Sequence, residues 1–237
     1  MADPYLSIVI PAYNEALRLA GTLEDVRKFI ASKPFETEVV LVDDGSSDGT
    51  LELFKEFQSI WPGTRVLSNG VNRGKGFSVR RGVLEARGKV ILFTDADLSA
   101  PIEEADKLLA ALESAAADAA IGSRALDRKL IGVHQPWRRE YAGRCFNLLV
   151  RLFTGLRIHD TQCGLKLFRR DSTRQAFELQ KVEGFGFDPE VLFLIRKFGG
   201  KIVEVPVRWN DNPATKVHFI RDSIRMFLDL IVLRWRA

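Results

Sequence analysis

The chain has 237 residues, 46% hydrophobic and 28% charged, with a net charge of +4. That length and balance suit a globular domain with a substantial core and exclude a disordered, fibrous or disulfide-built chain. Two cysteines, Cys145 and Cys163, carry neither metal-ligand spacing nor a disulfide-dense pattern, and read as semi-buried reduced thiols in a cytoplasmic setting.

The N-terminus passes from "MADPY" directly into the strand-like "LSIVIP". It lacks the basic start, apolar run and small-residue cleavage site of a secretory signal, so no export is expected. Apolar runs at 6–10, 39–42, 65–68, 89–93 and 119–121 alternate with helical patterns near 15–31, 49–60, 76–87 and 101–114. This predicts βα units and a largely parallel sheet. Pro101 followed by Glu103 and Glu104 marks a helix start, with acids near the positive end of the helix dipole. Without internal repeats or a low-complexity linker, the expectation is one domain over residues 1–237. The longest apolar runs, such as "LIVL" near the C-terminus, fall far short of the ~20 residues that span a bilayer.

Polar motifs follow the predicted strands in turn: "PAYNE" (11–15), "DDGSSDGT" (43–50), "NGVNRGKG" (69–76), "DADLS" (95–99) and "GSR" (122–124). Ligands of open α/β sheets bind outside the carboxyl ends of the strands, so five such loops predict one site on one rim. Singly, each motif has a plain alternative. Asp48 reads best as a turn and helix cap, and Asp43 divides evenly between capping and binding. "GKG" lacks the full phosphate-loop pattern. The aspartates of "DAD" are freer to face a ligand, because Pro101 already marks the following helix entry. Two carboxylates beside Lys75 suit either acid–base hydrolysis or a hard divalent cation. A cation would attract the phosphate that bare carboxylates repel. A soft-metal site is excluded by the scatter of His134, His159 and His218.

"SIVIPAYNE", "LVDDGSSDGT", "NRGKG", "FTDADLSAP" and "GSR" together resemble the inverting family-2 glycosyltransferases of the GT-A fold. "DTQCGLKLFRRD" (160–171), "GFGFDPEVLFL" (184–194) and "VPVRWNDNPATKV" (205–217) look like the dolichyl-phosphate β-glucosyltransferase branch among polyprenyl-phosphate glycosyltransferases. The resemblance covers nearly the whole chain. It implies a Rossmann-like α/β fold: a mixed, mostly parallel sheet flanked by helices, with amphipathic helices toward the C-terminus. Pro11, Ala12, Tyr13 and Glu15 match the loop that receives the nucleoside, and Asp44 with Asp43 matches the acid that reads the base. Lys75 and Ala96 fall near the donor. Asp95 matches the first acid of the DxD element, near the ribose, and Asp97 the acid that binds a Mg²⁺ or Mn²⁺ bridging the diphosphate. Ser99 stands where related mannose synthases carry a metal-binding glutamine, a departure that argues against simple transfer of mannose specificity. Arg124 is the first candidate for the acceptor phosphate, followed by Arg138, Arg139 and Lys216. Gln162 leans toward the sugar or acceptor side of the pocket without an assigned atom-level role. Asp188 reads more simply as a helix cap than as a reaction-centre acid, and Glu190 shares the second option.

The basic charge is concentrated in two segments. Residues 137–157 carry a net +4 and residues 216–237 a net +3, leaving the rest of the chain negative. In the first, Tyr141, Cys145, Leu148, Leu149, Leu152 and Phe153 form one helical stripe, with Glu140, Arg144, Asn147 and Arg151 on another. In the second, Ile220, Ile224, Phe227, Leu228, Ile231 and Trp235 oppose Arg221, Arg225, Asp229 and Arg236. Basic amphipathic helices near 137–155 and 219–236 can lie on an anionic membrane surface. Alternatively, the stripes pack on their own domain or form a homo-oligomer. With the chain ending at Ala237, the expected attachment is peripheral, on the cytoplasmic face of a membrane. Nucleic acid is excluded as a partner, because the basic residues sit on apolar helices rather than among stacking aromatics.

The expected function is metal-dependent, inverting transfer of a hexose to polyprenyl or dolichyl phosphate, with glucose from UDP-glucose first. GDP-mannose as donor, a non-lipid acceptor, and a silent nucleotide-sugar-binding module are the alternatives.

Overall fold

A computed structural model of the protein describes residues 3–212 and 219–235. The chain begins β1 (Leu6–Ala12), α1 (Ala16–Ala31), β2 (Thr37–Asp43), α2 (Thr50–Ile60), β3 (Thr64–Ser68), α3 (Lys75–Glu85) and β4 (Val90–Thr94). It continues through α4 (Ala105–Ser114), β5 (Ala119–Ser123), β6 (Ile131–Val133), α5 (Trp137–Thr154) and β7 (Leu165–Arg169). The remaining elements are α6 (Arg170–Leu179), α7 (Phe187–Lys197), β8 (Ile202–Pro206), β9 (Trp209–Asn210) and α8 (Phe219–Trp235).

β-Branched runs such as "SIVI" and "EVVLV" favour strands buried on both faces, as parallel sheets require. Successive side chains divide between two cores. Ile8, Ile10, Leu41 and Leu92 pack toward Leu23 of α1, Phe54 of α2 and Leu108 of α4. Val9, Val40, Val42, Ile91 and Phe93 pack against Val79 of α3, Phe177 of α6 and Phe187 of α7. Each fully buried side chain of this kind contributes about 1.5–3 kcal/mol of transfer free energy. A third cluster joins Ile121 of β5, Val150 of α5, Leu192 of α7 and Leu230 of α8.

The seven-stranded sheet has the order β3-β2-β1-β4-β7-β5-β8, and β6 pairs separately with β9. β7 runs antiparallel between β4 and β5, while the other paired neighbours are parallel. The order reverses between β1 and β4, which opens a crevice at their carboxyl ends. Because β7 runs the other way, the "DTQCG" segment enters the sheet at that same rim. The register pairs Thr94 with Leu165 and so sets Gly164 beside Asp95.

Both amphipathic helices form, but the stripes divide differently from the expectation. In α5, Val150 is buried and Leu149 packs inward, whereas Tyr141, Cys145, Leu148 and Leu152 are exposed. Phe153 meets Phe227 of α8 edge to face, with ring centroids 6.1 Å apart. In α8, Met226, Leu230 and Leu233 are buried, and Ile224, Phe227, Leu228, Val232 and Trp235 are exposed. The side chains of Ile220 and Arg221, and the whole of Arg236, lie outside the described residues. Among the described residues no helix is long and apolar enough to cross a membrane. The thiols also separate, Cys145 being exposed and Cys163 buried. Burial pushes the Cys163 thiol up to about 12, which keeps it protonated and inert.

Candidate active site

The loops after β1, β2 and β4 converge on the crevice and build the first of two lobes, with a volume of about 1170 Å³. Asn14 adopts a positive φ and accepts, through its side-chain oxygen, a 2.8 Å hydrogen bond from the Ser47 N–H. The Glu15 N–H donates to Thr50 Oγ1 at 2.8 Å, tying the "PAYNE" loop to "DDGSSDGT". Asp48 accepts from the Thr50 N–H and so acts at the helix entry, as expected. Asp43 is a turn residue, accepting from the Gly45 and Ser46 N–H groups and from Ser68. Asp44 faces the lobe while accepting from the Arg73 and Gly74 N–H groups and from Asn69. The even division for Asp43 thus resolves toward the turn, with Asp44 at the cavity wall. Pro11, Ala12, Tyr13, Glu15, Lys75 and Ala96 join it there.

The second lobe, of about 1070 Å³, lies between the β5 end, the "DTQCG" segment, α5 and α8. Lys75, Asp95, Asp97, Phe185 and Met226 line both lobes and mark their junction. Here Lys75 Nζ lies 2.7 Å from Asp95 Oδ1. Burial opposes charge on Lys75, but the attraction of Asp95 and then Asp188 outweighs it, and the ammonium pKa is raised. Only glycine fits opposite Asp95, because a Cβ on Gly164 would lie 2.0 Å from Asp95 Oδ2. Asp97 Oδ1 accepts from the Ser99 N–H at 3.0 Å, an Asx turn that fixes the carboxylate after the strand.

Arg124, Arg139, Ser99, Gln162 and Asp188 all line the second lobe. Arg138 instead stacks over the Trp137 ring, 5.4 Å from its centroid, and does not join that lining. Lys216 lies outside the described residues. Gln162 donates its N–H to Asp160 Oδ1 at 3.2 Å and reaches toward Met226. Asp188 does not cap α7. Its carboxylate is drawn to the buried Lys166, 2.7 Å away, while Gly186 takes the cap position without a side-chain bond. Burial raises the Asp188 pKa, with Lys166 and Lys75 opposing. Glu190 accepts from the Lys181 and Val182 N–H groups and clamps the loop before α7.

Two functional candidates escaped the sequence reading. Arg18 lines the first lobe, is held by Glu15, and feels the charges of Asp97 and Asp95. Its i,i+3 spacing from Glu15 was the available signal. Nothing local in "DTQCG" marks Asp160 as a partner for Arg124, yet it grips Arg124 across 36 residues of chain.

Asp95 and Asp97 offer hard oxygen donors, and no group of three or more potential protein ligands occurs among the described residues. That donor set fits a Mg²⁺- or Mn²⁺-like ion, which is commonly held by one or two carboxylates with phosphate oxygens and water completing the shell.

A family model, glycosyl transferase family 2, matches residues 7–177. A dolichyl-phosphate β-glucosyltransferase of Dictyostelium discoideum is 34% identical over 98% of this chain and 74% of its own length. Its Saccharomyces cerevisiae counterpart is 36% identical over 97% of this chain and 74% of its own. Among solved structures, glucosyl-3-phosphoglycerate synthase from Mycobacterium tuberculosis, in complex with Mn²⁺, UDP and glucosyl-3-phosphoglycerate, superposes with a TM-score of 0.70 at 18% identity. That likeness covers 98% of this chain and 80% of the other.

Proposed function

The chain belongs to glycosyl transferase family 2 and has the GT-A fold; from that premise we propose that it transfers glucose from UDP-glucose to a dolichyl or polyprenyl phosphate, inverting the anomeric centre. The proposal treats residues 1–237 as one catalytic unit. The relatives' names support the sugar and the lipid. One observation in this chain carries the choice of acceptor. The second lobe has Arg124 and Arg139 in its wall beside the junction, and its rim includes the apolar Leu148, Leu149, Ile224 and Phe227 of α5 and α8. An ionic head and a hydrocarbon tail match that pairing, whereas a soluble acceptor would leave the apolar rim unused.

In this reading the nucleoside lies against Pro11, Ala12, Tyr13 and Asp44, and the diphosphate lies toward Asp97, Lys75 and Arg18. Asp97, with Asp95 beside it, would hold a Mg²⁺ or Mn²⁺ ion, which when bound would supply Lewis-acid stabilisation of the departing nucleoside diphosphate. Arg124 and Arg139 orient the acceptor phosphate through charge-assisted hydrogen bonds. The phosphomonoester has a second pKa near 6 and is already a dianionic nucleophile at neutral pH, so no protein base is needed. Its oxygen bonds to the anomeric carbon as the bond to the diphosphate breaks on the opposite face, giving a β-linked sugar phosphate.

The exposed apolar faces of α5 and α8, beside Arg138, Arg144, Arg151 and Arg225, suit an anionic membrane surface. We assign the attachment to the cytoplasmic face, in keeping with the two free cysteines. The decisive experiment is a donor panel of UDP-glucose and GDP-mannose with a short polyprenyl phosphate, with Mg²⁺, with Mn²⁺ and with chelator. Metal-dependent transfer from UDP-glucose supports the reading. Transfer from GDP-mannose alone, or transfer to soluble acceptors but not lipid phosphate, refutes it.

A further inference from the structure

Helix α8 presents three faces. Met226, Leu230 and Leu233 are buried, and a second set of apolar residues is exposed. On a third face the polar pair Arg225 and Asp229 is spaced i,i+4 and lines the first lobe. Asp229 is half-buried, and among the described residues its carboxylate makes no hydrogen bond. Burial pushes its pKa up while the charge of Arg225 works against that. A half-buried carboxylate without a hydrogen-bond donor costs stability even with a cation nearby, and a ligand that donates hydrogen bonds to it accounts for its presence.

Its position narrows the ligand. Phe185 and Met226 belong to the junction of the two lobes, Gly186 follows Phe185, and Asp229 lies one turn of α8 beyond Met226. Asp229 packs so closely on Gly186 that a Cβ added there would lie 2.7 Å from Asp229 Oδ2. In the function proposed above, on which this inference rests, the reacting carbon sits at that junction and the hexose ring fills the space around it. We propose that Asp229 is a recognition residue for the transferred sugar, its carboxylate accepting hydrogen bonds from hexose hydroxyls of the bound donor. α8, whose outer face is offered to the membrane, thereby closes the sugar end of the donor lobe as well.

The test is calorimetric titration of the full chain in Mn²⁺ with UDP against UDP-glucose and with GDP against GDP-mannose. The proteins compared are the wild type, Asp229→Asn and Gly186→Ala. Asp229→Asn should weaken the preferred sugar nucleotide about tenfold or more, the worth of one hydrogen bond to a charged group, while its nucleoside diphosphate binds within about twofold of wild type. Retained diphosphate binding also certifies the fold. Gly186→Ala should act in the same direction, because the added methyl displaces the carboxylate without removing it. Equal losses for diphosphate and sugar nucleotide, or no loss in either variant, overturn the assignment to Asp229. Failure of the wild type to bind any sugar nucleotide instead overturns the donor reading beneath it.

Discussion

Arg124 and Asp160 form a two-pronged pair at the wall of the second lobe. Arg124 Nε lies 2.7 Å and Nη2 2.8 Å from the two carboxylate oxygens, and the Arg124 N–H donates to the same group. Burial opposes ionisation of Asp160, yet Arg124 outweighs it and holds the carboxyl below its ordinary range. Glu204 in turn accepts the Asp160 N–H at 3.0 Å. The arginine is therefore aimed by a carboxylate that is itself anchored in β8, leaving the other guanidinium edge for a phosphate.

Asp160→Asn keeps the shape but removes the charge that fixes the fork. Arg124 should survive as a cation with a less defined orientation. The expected result is a rise of roughly tenfold or more in KM for the lipid phosphate, with the donor KM unchanged. Steady-state kinetics varying each substrate in turn measures this, and equal damage to both KM values would contradict a positioning role.

The first half of the sheet was legible because each strand is a local apolar run that ends in its own polar loop. The site followed from that alternation, since the parallel strands bring the "PAYNE", "DDG" and "DAD" loops to one rim. The insertion of β7 between β4 and β5 depends on pairing across 71–79 residues of chain to β4 and 45–49 to β5, and "LKLF" carries no mark of its neighbours. Lys166 shows the same limit. A lysine in a short strand reads as solvent-facing, yet it is buried because Asp188 of α7 arrives to neutralise it. The α8 pattern marks the polar side of the helix but not its direction: Asp229 is half-buried in the wall of the first lobe, with the exposed Arg225 at its edge.

Asp97 contributes one short-range hydrogen bond to the fold, from the Ser99 N–H. Asp97→Ala should therefore leave the melting temperature close to wild type while lowering turnover by about a hundredfold to a thousandfold, the scale of a lost electrostatic stabiliser. Turnover by wild type in excess chelator should fall comparably. Undiminished activity in chelator would sink the metal role of this residue.

Tyr141 and Leu152 are 66% and 76% exposed and lie outside the lining of either lobe. Replacing both with glutamate should change stability by no more than about 0.5 kcal/mol per site. It should also abolish co-sedimentation with phosphatidylserine-containing vesicles and slow transfer to vesicle-embedded acceptor. Transfer to a short acceptor in detergent should persist. Unchanged vesicle binding would assign these faces to a protein partner instead.

Lys166 Nζ lies 2.7 Å from Asp188 Oδ1, and both residues are buried. Lys166→Met removes the strongest attraction opposing the effect of burial on Asp188. Breaking a buried pair by removing one partner typically costs about 3–5 kcal/mol, a figure that the remaining attraction of Lys75 for Asp188 reduces. The sign of the pH effect follows from the raised carboxyl pKa. Above the folded-state pKa the ionised, buried Asp188 is penalised relative to the unfolded chain. As pH falls through that value the folded state takes up the proton first and the penalty disappears. The difference in melting temperature between wild type and Lys166→Met should therefore be largest above the raised folded-state pKa of Asp188 and shrink as pH falls toward the ordinary carboxylate range. The double variant Lys166→Met/Asp188→Leu should show no such trend, because it buries neither charge. A gap that stays constant or widens on acidification would mean that Asp188 is not held ionised by Lys166.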